Sequence, residues 1–556
     1  MMSYKRMRWP LLACGAALLA TCAANQAALR EAQAGISLDY LTNDIATLGS
    51  DEFMGRKPGQ PGGDLAVDYL VKRAQEIGLQ PGNGDSYLQD VPLLNLTLSD
   101  ASQMTIGGGS EPMIWKPYDD FTVRIGGRFD DITLEASNVV LVGYGVVDSV
   151  LGWDQYGDLD VQGKVVIIYR ADPSFLTGDT SVFNSTNSVQ HNLFSTKFRA
   201  ARAKGALAAF TVYDKEMSDS ESGWEQMSGG RRGSVRLASD EPAEAPEFIS
   251  GFMNPASVEK LLKSRGLDYK EQLQAATEQS YQAVELNYSF NLTLSQKVHP
   301  FTSYNVLGLL PGSLRPDELI IYTAHWDAYG MDTTAEDDQI FNGAVDNGTG
   351  SASLLTLARA FANLEQRPER SLLFLWVTSE EVGLLGSRYY VNNPVYPLNM
   401  SVANLNIDML LPFGETHDVI VTGYGKSQLD RYAERAARKL GMYVKEDPWP
   451  EQNFYYRSDH INFARKGLPA LDLGTGIDHV TLGEDSTNAR MQQWMATRYH
   501  RPTDELDDTW DLAGIMNYLK ISFDVGYTLS NDSKWPNWYK DDEFRALRDS
   551  TRANVH

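Results

Sequence analysis

The sequence is short of cysteine, of basic residues and of long apolar runs. Its two cysteines, Cys14 and Cys22, both lie within the first 22 residues of a 556-residue chain, so the remainder cannot form an intrachain disulfide framework. Acidic residues number 73 against 49 basic ones, which gives a net charge of −24. Because nucleic-acid binding needs a basic surface, this balance argues against nucleic acid as a partner.

Residues 1–24 have the pattern of an export signal. Lys5, Arg6 and Arg8 precede an apolar run over residues 11–20, and small residues follow it. The run is shorter than the roughly 20 apolar residues that a membrane-spanning helix needs. We therefore predict a signal peptide over residues 1–24 and no transmembrane span after its removal; a buried N-terminal helix is the alternative.

The second cysteine of this segment suggests a lipid anchor. Leu19-Ala20-Thr21-Cys22 resembles the signal of a bacterial lipoprotein, in which the cysteine is lipidated after cleavage, with threonine where a smaller residue is usual. We predict an exported bacterial protein. It would be periplasmic, secreted, or anchored to the outer membrane as a lipoprotein through Cys22.

The pattern of predicted secondary structure changes near residues 105 and 297. Residues 37–80 predict two helices, residues 106–296 contain short β-rich runs broken by turn residues, and strands alternate with helices afterwards. Buried strands are predicted at residues 319–323, 372–378, 402–407, 419–422 and 470–473. This alternation predicts an α/β fold with a mostly parallel central sheet flanked by helices.

Side chains that can bind a metal follow successive predicted strands or open the adjacent helices. Ligands bind at the carboxyl ends of strands in such sheets, and imidazole with carboxylate suits zinc. Each residue alone has a plainer explanation, such as a hydrogen-bonded histidine, a helix N-cap or a solvated glutamate pair. Together they predict a metal site. In chain order they are His325, Asp327, Asp346, Glu380, Glu381, Asp408 and His500.

The charges and spacings of this set suit two metal ions. Asp346, Glu381 and Asp408 bring three negative charges to a site in which two divalent ions would bring four positive ones. Adjacent residues diverge on an extended chain, so one glutamate of the Glu-Glu pair can bind metal while the other faces substrate. The i, i+2 spacing of His325 and Asp327 puts both on one side, where Asp327 can orient the imidazole.

This ordered set resembles the co-catalytic di-zinc exopeptidase family, which includes bacterial leucyl aminopeptidases and glutamate carboxypeptidases. The family order is His-x-Asp, an Asp in an Asp-Asn-x-x-Gly context, Glu-Glu, an Asp after a strand and a late His. All five steps are present in order from His325 to His500. Residues 455–460, Tyr-Tyr-Arg-Ser-Asp-His, are similar to a further block of that family.

The resemblance implies a metal ligand set with two Zn²⁺ ions per chain. Asp346 would bridge both ions, His325 and Asp408 would complete one, and Glu381 and His500 would complete the other.

The resemblance also implies roles for residues around the metals. Glu380 would be the general base and Asp327 the partner of His325. Tyr455 would donate to the oxyanion of the transition state. Tyr456, Arg457 and Phe454 are candidates for the substrate pocket, with aromatic packing as the alternative explanation for the tyrosines.

The middle of the chain resembles an inserted protease-associated domain, through Gly163-Lys164-Val165-Val166 and Ala203-Lys204-Gly205-Ala206. The implied order is the signal peptide (1–24), the N-terminal part of the catalytic domain (37–105), the insertion (106–296), the main catalytic part (297–535) and a C-terminal tail (536–556).

The implied function is that of an exported metallo-aminopeptidase acting on peptide substrates. It would hydrolyse N-terminal residues with a water bound to two zinc ions and a glutamate base. A carboxypeptidase of the same family is one alternative, because Arg457 could meet a substrate carboxylate. A non-catalytic binding protein that uses the inserted domain is the other.

Overall fold

The computed structural model describes residues 35–553, apart from residues 110, 125–126, 137, 150, 179–182, 184–190, 218–222, 225–227, 229–232, 241–247, 334, 336 and 453. The predicted signal peptide, with Cys14 and Cys22, lies outside the described residues. The chain forms two compact units. One unit takes in the described residues up to Val91, Ser303–Met331 and those from Ile340 onward. The other comprises Pro92–Thr302 and Asp332–Gln339. This second unit contains the predicted insertion over residues 106–296 and extends beyond it at both ends.

A mixed sheet forms the centre of the first unit. Its strands are β1 (Gln80–Pro81), β16 (Gln296–Leu310), β17 (Arg315–His325), β20 (Arg370–Val377), β21 (Ser401–Asn406), β22 (Asp418–Thr422), β23 (Tyr443–Glu446) and β24 (Ala470–Thr475). The order is β16-β20-β17-β21-β24-β22-β23, with β1 against β16. Strands β20, β17, β21 and β24 run parallel, whereas β16 and β22 run antiparallel to β20 and β24. The expected mostly parallel sheet is therefore mixed, with its parallel strands at the centre.

Helices cover both faces of this sheet. They are α1 (Leu38–Leu48), α2 (Pro61–Ile77), α7 (Gly350–Ala362), α8 (Leu385–Asn392), α9 (Asp430–Lys439), α10 (His460–Ala464), α11 (Gly483–Thr497), α12 (Ala513–Asn531) and α13 (Arg545–Ala553). Strand β20 shows the consequence, since every residue from Arg370 to Val377 is buried. A strand covered on both faces needs a continuous apolar sequence rather than an alternating one.

Alternate residues of the central strands enter two different clusters. Ile320, Tyr322 and Phe374 pack with α1, α2, α7 and α12 on one face, whereas Ile321 and Leu375 pack with α8 and α10 on the other. The five predicted strands correspond to β17, β20, β21, β22 and β24. The parallel strands β17, β20, β21 and β24 end at one edge of the sheet, and the candidate metal-binding residues begin there, whereas the antiparallel β22 ends at the opposite edge.

The second unit is rich in short strands. They are β2 (Leu88–Leu98, which contains the unit boundary), β3 (Gln103–Gly107), β4 (Met113–Trp115), β5 (Phe121–Val123), β6 (Ile132–Ala136), β7 (Val139–Leu141), β8 (Val147–Asp148), β9 (Trp153–Asp154), β10 (Val165–Tyr169), β11 (Ala208–Val212), β12 (Ser234–Leu237), β13 (Ile249–Met253), β14 (Val284–Glu285) and β15 (Ser289–Leu294). One sheet has the order β14-β7-β10-β11-β13-β5 and another the antiparallel order β4-β3-β15-β6.

Four described helices complete this unit: α3 (Ser174–Thr177), α4 (Phe194–Ala203), α5 (Pro255–Lys263) and α6 (Tyr269–Ala275). A short pair, β18 (Gly330–Met331) and β19 (Ile340–Phe341), belongs to the first unit. The β-rich character agrees with the short β-rich runs predicted over residues 106–296, while the identity of the unit as a protease-associated domain stays a prediction.

The C-terminal segment is an ordered part of the first unit. Trp538 is fully buried and its Nε1–H donates to the Gly467 carbonyl at 2.9 Å. The buried Arg548 of α13 donates from Nη2 to the Ser401 carbonyl at 2.8 Å. Across the part of the chain that the structure describes, no helix has the length and apolar character that crossing a membrane requires.

Candidate metal centre

The predicted metal-binding residues converge at one edge of the first unit's sheet. His325 ends β17, Glu380 and Glu381 follow β20, and Asp408 follows β21. Asp346 lies in an irregular turn, Ala344–Thr349, that leads into α7. The carboxyl ends of neighbouring parallel strands meet at the same edge, which is why residues far apart in sequence become neighbours here.

The first donor group surrounds His325. Its Nε2 lies 3.2 Å from Asp346 Oδ1, 3.4 Å from Asp408 Oδ1 and 3.9 Å from Glu380 Oε2. One atom each from His325, Glu380 and Asp408 lies within 4.8 Å of the others, a grouping that could hold a metal ion.

The second donor group surrounds His500, in the loop after α11. Its Nε2 lies 3.2 Å from Asp346 Oδ2 and 3.4 Å from Glu381 Oε2. Asp346, Glu381 and His500 also offer three donor atoms within 4.8 Å of one another. The two oxygens of Asp346 thus face different histidines, as a carboxylate shared between two ions requires.

The buried groups of this centre fit cations. His325 is fully buried, yet its Nε2 has no hydrogen-bond partner among the described residues. Burial, reinforced by neighbouring carboxylates, raises the pKa of Glu380 and of Glu381 well above the usual range. Burial opposes charge on His325 as well, but Glu380 and Asp408 outweigh it and raise the imidazole pKa well above its usual value. Close-packed carboxylates of this kind are stabilised by metal ions, which supply the missing positive charge.

Asp504 holds the turn that carries Asp346. Its carboxylate accepts hydrogen bonds from the backbone N–H groups of Val345 and Asp346, both at 3.0 Å. Its backbone carbonyl accepts a third bond from the N–H of Ala344 at 3.0 Å. The loop that supplies His500 therefore also positions Asp346.

Asn347 ties the same turn to the strand end that carries Asp408. Its Nδ2 donates to the Ile407 carbonyl at 2.9 Å, and its Oδ1 accepts from the N–H of Gly350 at 2.9 Å. The side chain next to Asp346 thus connects the turn both to α7 and to β21.

Asp327 adjoins His325, but its carboxylate makes other contacts than the sequence predicts. His325 Nδ1 lies 3.1 Å from the backbone carbonyl of Asp327 and 3.7 Å from its carboxylate. The carboxylate instead accepts from the backbone N–H of Glu380 at 3.0 Å and of Glu381 at 3.4 Å. Asp327 therefore orients the imidazole through its main chain and the glutamate pair through its side chain.

Ser458 and Asn406 form a polar connection beneath Asp408. Ser458 donates from Oγ to Asp408 Oδ2 at 2.5 Å and accepts from Asn406 Nδ2 at 2.9 Å. Asp408 is left with Oδ1 facing His325. In the sequence, Ser458 stands out only as part of the block similar to the family, since nothing in its spacing indicates this bond.

Arg56 is a buried residue that the sequence reasoning did not assign to the site. Its Nε donates to the Trp326 carbonyl and its Nη2 to the Gly343 carbonyl, both at 2.8 Å. Burial lowers the pKa of this guanidinium to about 10, against an opposing influence from Asp504, and the group stays charged at neutral pH.

Tyr455 does not line the cavity at the metal-binding groups. It is 6% exposed and packs in a cluster that includes Ile461, Trp538 and Phe544. Its ring lies against Gly423, where a Cβ would be 2.2 Å from Tyr455 Cδ2, so only glycine fits there. The hydroxyl has no hydrogen-bond partner among the described residues. The geometry therefore favours the packing alternative over the predicted oxyanion donor, because the ring is buried in the core.

A cavity of about 410 Å³ opens from the metal-binding residues. Phe454, Tyr456 and Arg457 all line it, together with Trp449 and apolar side chains from β22, β24 and α11. Arg457 Nη2 donates to the Tyr499 hydroxyl at 3.3 Å, and its guanidinium lies 5.3 Å from the Phe454 ring centre. The cavity thus joins an ionic end to a largely apolar remainder.

Comparison with known proteins agrees with this arrangement. Residues 305–523 match the sequence model of peptidase family M28. Leupeptin-inactivating enzyme 1 of Streptomyces exfoliatus is 30% identical over 234 residues, which are 40% of this chain and 48% of that protein. The chain thus spans about half the length of this relative.

Two solved structures show the same fold across most of the chain. An aminopeptidase from Aneurinibacillus sp. strain AM-1 covers 91% of this chain and 97% of its own, with 18% identity and a TM-score of 0.51. The structure of BSAP, a zinc aminopeptidase from Bacillus subtilis, covers 91% and 98%, with 16% identity and a TM-score of 0.50. Residues 305–523 therefore match peptidase family M28, and the resemblance to the co-catalytic zinc exopeptidases is confirmed.

Proposed function

We propose that the protein is a metal-dependent aminopeptidase that removes N-terminal residues from peptides. The observation that carries the proposal is the pair of neighbouring donor groups at one end of the cavity, with the two oxygens of Asp346 each 3.2 Å from a different histidine. His325 and Asp408 would hold one zinc ion, Glu381 and His500 the other, and Asp346 both. Imidazole and carboxylate ligands suit zinc, and BSAP is a zinc aminopeptidase.

Zinc ions bound here would polarise the scissile carbonyl and lower the pKa of a water molecule. Glu380 lines the cavity beside the ligand set, and Asp327 holds its backbone. The carboxylate of Glu380 is proposed to take a proton from the attacking water and to pass it to the leaving nitrogen.

The charges of the cavity favour a free amine over a free carboxylate. Six carboxylates line it, and among the described lining residues Arg457 is the one arginine and no lysine is present. Two divalent ions and Arg457 would leave one negative charge, which attracts an ammonium group. The six are Asp346, Glu380, Glu381, Asp408, Asp447 and Asp472.

A carboxypeptidase is the second candidate, because Arg457 lines the cavity and is exposed to solvent. Its guanidinium could receive the terminal carboxylate of a substrate in a two-pronged hydrogen bond. The two candidates differ in the end of the peptide that has to be free.

A panel of free, N-terminally blocked and C-terminally blocked peptides separates the candidates. We expect cleavage only when the amine is free; cleavage of N-blocked peptides that requires a free carboxylate would replace the proposal by the carboxypeptidase. Glu380→Gln should lower kcat by about 10² to 10⁴. The matched control is Glu365→Gln, at an exposed position beyond α7, which should keep full activity.

Metal analysis completes the test. The wild-type protein and Glu380→Gln should each retain about two zinc ions per chain, because the five proposed ligands do not include Glu380. One ion per chain at full activity would contradict the shared role of Asp346.

We also propose that the protein is exported, on the basis of the pattern in residues 1–24. Fractionation of bacterial cells should recover it outside the cytoplasm. If Cys22 is lipidated, Cys22→Ala should move the protein from the membrane fraction to the soluble exported fraction; no change would remove the anchor from the proposal.

A further inference from the structure

We propose that the C-terminal segment 536–544 sets the shape of the substrate cavity, with Glu543 as the residue that positions Tyr456. The segment lies beyond residues 305–523, which match the peptidase family. The inference rests on the proposed function, since it concerns how a peptide is bound in the same cavity.

Tyr456 is the cavity-lining residue in contact with this segment. Its hydroxyl donates to Glu543 Oε1 at 2.6 Å. The same carboxylate oxygen lies 3.2 Å from Lys426 Nζ, and Lys426 also pairs with the largely buried Asp542 at 3.3 Å. The tyrosine is thus held by an anion that is itself held by a cation.

The segment has the anchors that a positioning element needs. Trp538 is fully buried, and its main chain bridges to Ser427. The N–H of Tyr539 donates to the Lys426 carbonyl at 2.8 Å, and Phe544 packs 5.1 Å from the Trp538 ring. Lys426 and Glu543 therefore keep a fixed separation, because both are joined to the same anchored stretch.

Tyr456 needs an external partner to keep one orientation. Its side chain is 42% exposed, and its ring has an edge-on contact with Tyr455 at 5.3 Å. A half-exposed aromatic side chain without a hydrogen bond populates several rotamers, and holding it in one costs conformational entropy. The bond to Glu543 offsets that cost and keeps the ring in the cavity wall between Phe454 and Arg457.

The role predicted for Tyr456 is in binding rather than in chemistry. Its hydroxyl is engaged by Glu543 and the metal-binding groups belong to other residues, so its loss should act equally on bound substrate and transition state. Such a loss raises KM and leaves kcat unchanged.

The chain supplies a matched control pair. The Tyr424 hydroxyl donates to Glu434 Oε1 at 2.6 Å, and Tyr424 is 40% exposed, but neither residue lines the cavity. In both pairs the hydrogen bond that the tyrosine hydroxyl donates to the glutamate is the main cause of a raised tyrosine pKa.

The first measurement is the kinetics of the zinc-loaded protein on free N-terminal peptides. Glu543→Ala and Tyr456→Phe should each raise KM about three- to tenfold with kcat within about twofold. The KM of the double variant should be no higher than that of either single variant. Glu543→Gln, which keeps an acceptor oxygen, should restore most of the affinity for the peptide. Glu434→Ala and Tyr424→Phe should match the wild type. An unchanged KM in Glu543→Ala, or additive effects in the double variant, would overturn the inference while leaving the aminopeptidase proposal intact.

The second measurement does not depend on turnover. Tetranitromethane nitrates tyrosine through its phenolate, so a tyrosine with a raised pKa reacts slowly. Peptide mass spectrometry measures the nitration rate of each tyrosine. The rate at Tyr456 should rise severalfold in Glu543→Ala, whereas the rate at Tyr424 should rise only in Glu434→Ala. An equal nitration rate of Tyr456 with and without Glu543 would overturn the positioning contact, even if the wild-type protein cleaved no peptide.

Discussion

Tyr455 and Tyr456 are neighbours in the chain, but their side chains have different surroundings. Tyr455 is buried against Gly423, and its hydroxyl has no partner in the described part of the chain, whereas Tyr456 lines the cavity and donates to Glu543. Burial is the main reason why the pKa of Tyr455 is raised. Tyr455 does not line the cavity, so its enclosed hydroxyl does not face a substrate bound there. The residue predicted as oxyanion donor is thus a core residue in this structure.

Tyr455→Phe should therefore leave kcat within about twofold of the wild type, whereas losing a true oxyanion donor costs about 10² to 10³. Thermal stability should stay level or rise, because the change removes a buried hydroxyl without a partner. Steady-state kinetics and a melting curve check both expectations. A hundredfold fall in kcat with an unchanged melting temperature would restore the original assignment.

The ligand set could be predicted from sequence because its residues follow recognisable apolar runs. Glu380 and Asp408 are each placed by the strand before them, and the ordered family pattern links them to His325. Asp504 and Ser458 could not be assigned in this way, because their contacts join segments that only the folded chain brings together. Buried polar side chains are common, and their spacing in sequence does not tell which backbone groups they bind.

At the scale of elements, the turn Ala344–Thr349 is the part of the fold that the metal centre depends on most. Asp504 holds it from the loop after α11, and the turn's own Asn347 ties it to the Ile407 carbonyl after the end of β21. Sequence predicted the helix that follows the turn but not its irregular backbone, because Asp346 on its own is indistinguishable from a helix cap.

Asp504→Ala should lower zinc affinity by about ten- to a hundredfold, because the turn that carries Asp346 loses the two bonds donated by the N–H groups of Val345 and Asp346. Competition with a chromogenic chelator measures the affinity directly, without any substrate. The control is Asp508→Ala, an exposed position in the same loop. Equal zinc affinity in both variants would show that the turn keeps its shape without Asp504.

Helix α4 of the second unit carries a buried lysine whose charge is disfavoured. Lys197 is 1% exposed and donates from Nζ to the Tyr144 carbonyl at 2.5 Å. Burial lowers its pKa to about 7, with Asp172 opposing the shift. The unfolded chain binds more protons than the folded one between this value and the ordinary lysine pKa, so stability rises with pH across that window.

The unfolding midpoint of the second unit should therefore rise from pH 7 to pH 10 in the wild type and rise less in Lys197→Met. Below about pH 7 lysine is protonated in both states, and the contribution stays constant at its lowest value. Urea unfolding at a series of pH values tests this, with the exposed Lys263→Met as control. An identical pH slope in Lys197→Met and the wild type would contradict the assignment.

At the scale of the whole molecule, all the metal-binding residues belong to one of the two compact units. Metal that binds only the folded state stabilises that state, by about 2.7 kcal/mol when its free concentration is roughly 100 times Kd. The other unit contains none of the proposed ligands.

Calorimetry of the full chain should therefore show a chelator-sensitive transition and a chelator-insensitive one. Asp346→Asn should lower the midpoint temperature of the chelator-sensitive transition even without chelator, and adding chelator should then have no further effect. If chelation lowered both transitions equally, the two units would have to unfold together.

The division of the chain also bears on how the protein is made. Helices α1 and α2 pack against α7, which is encoded after the whole of Pro92–Thr302. At a synthesis rate of 5–20 residues per second, the ribosome needs roughly 10 to 40 s to produce that stretch. During this interval the two helices have left the ribosome without the surface that buries their apolar faces. The second unit can complete its own sheets meanwhile, so the first unit starts first and finishes last.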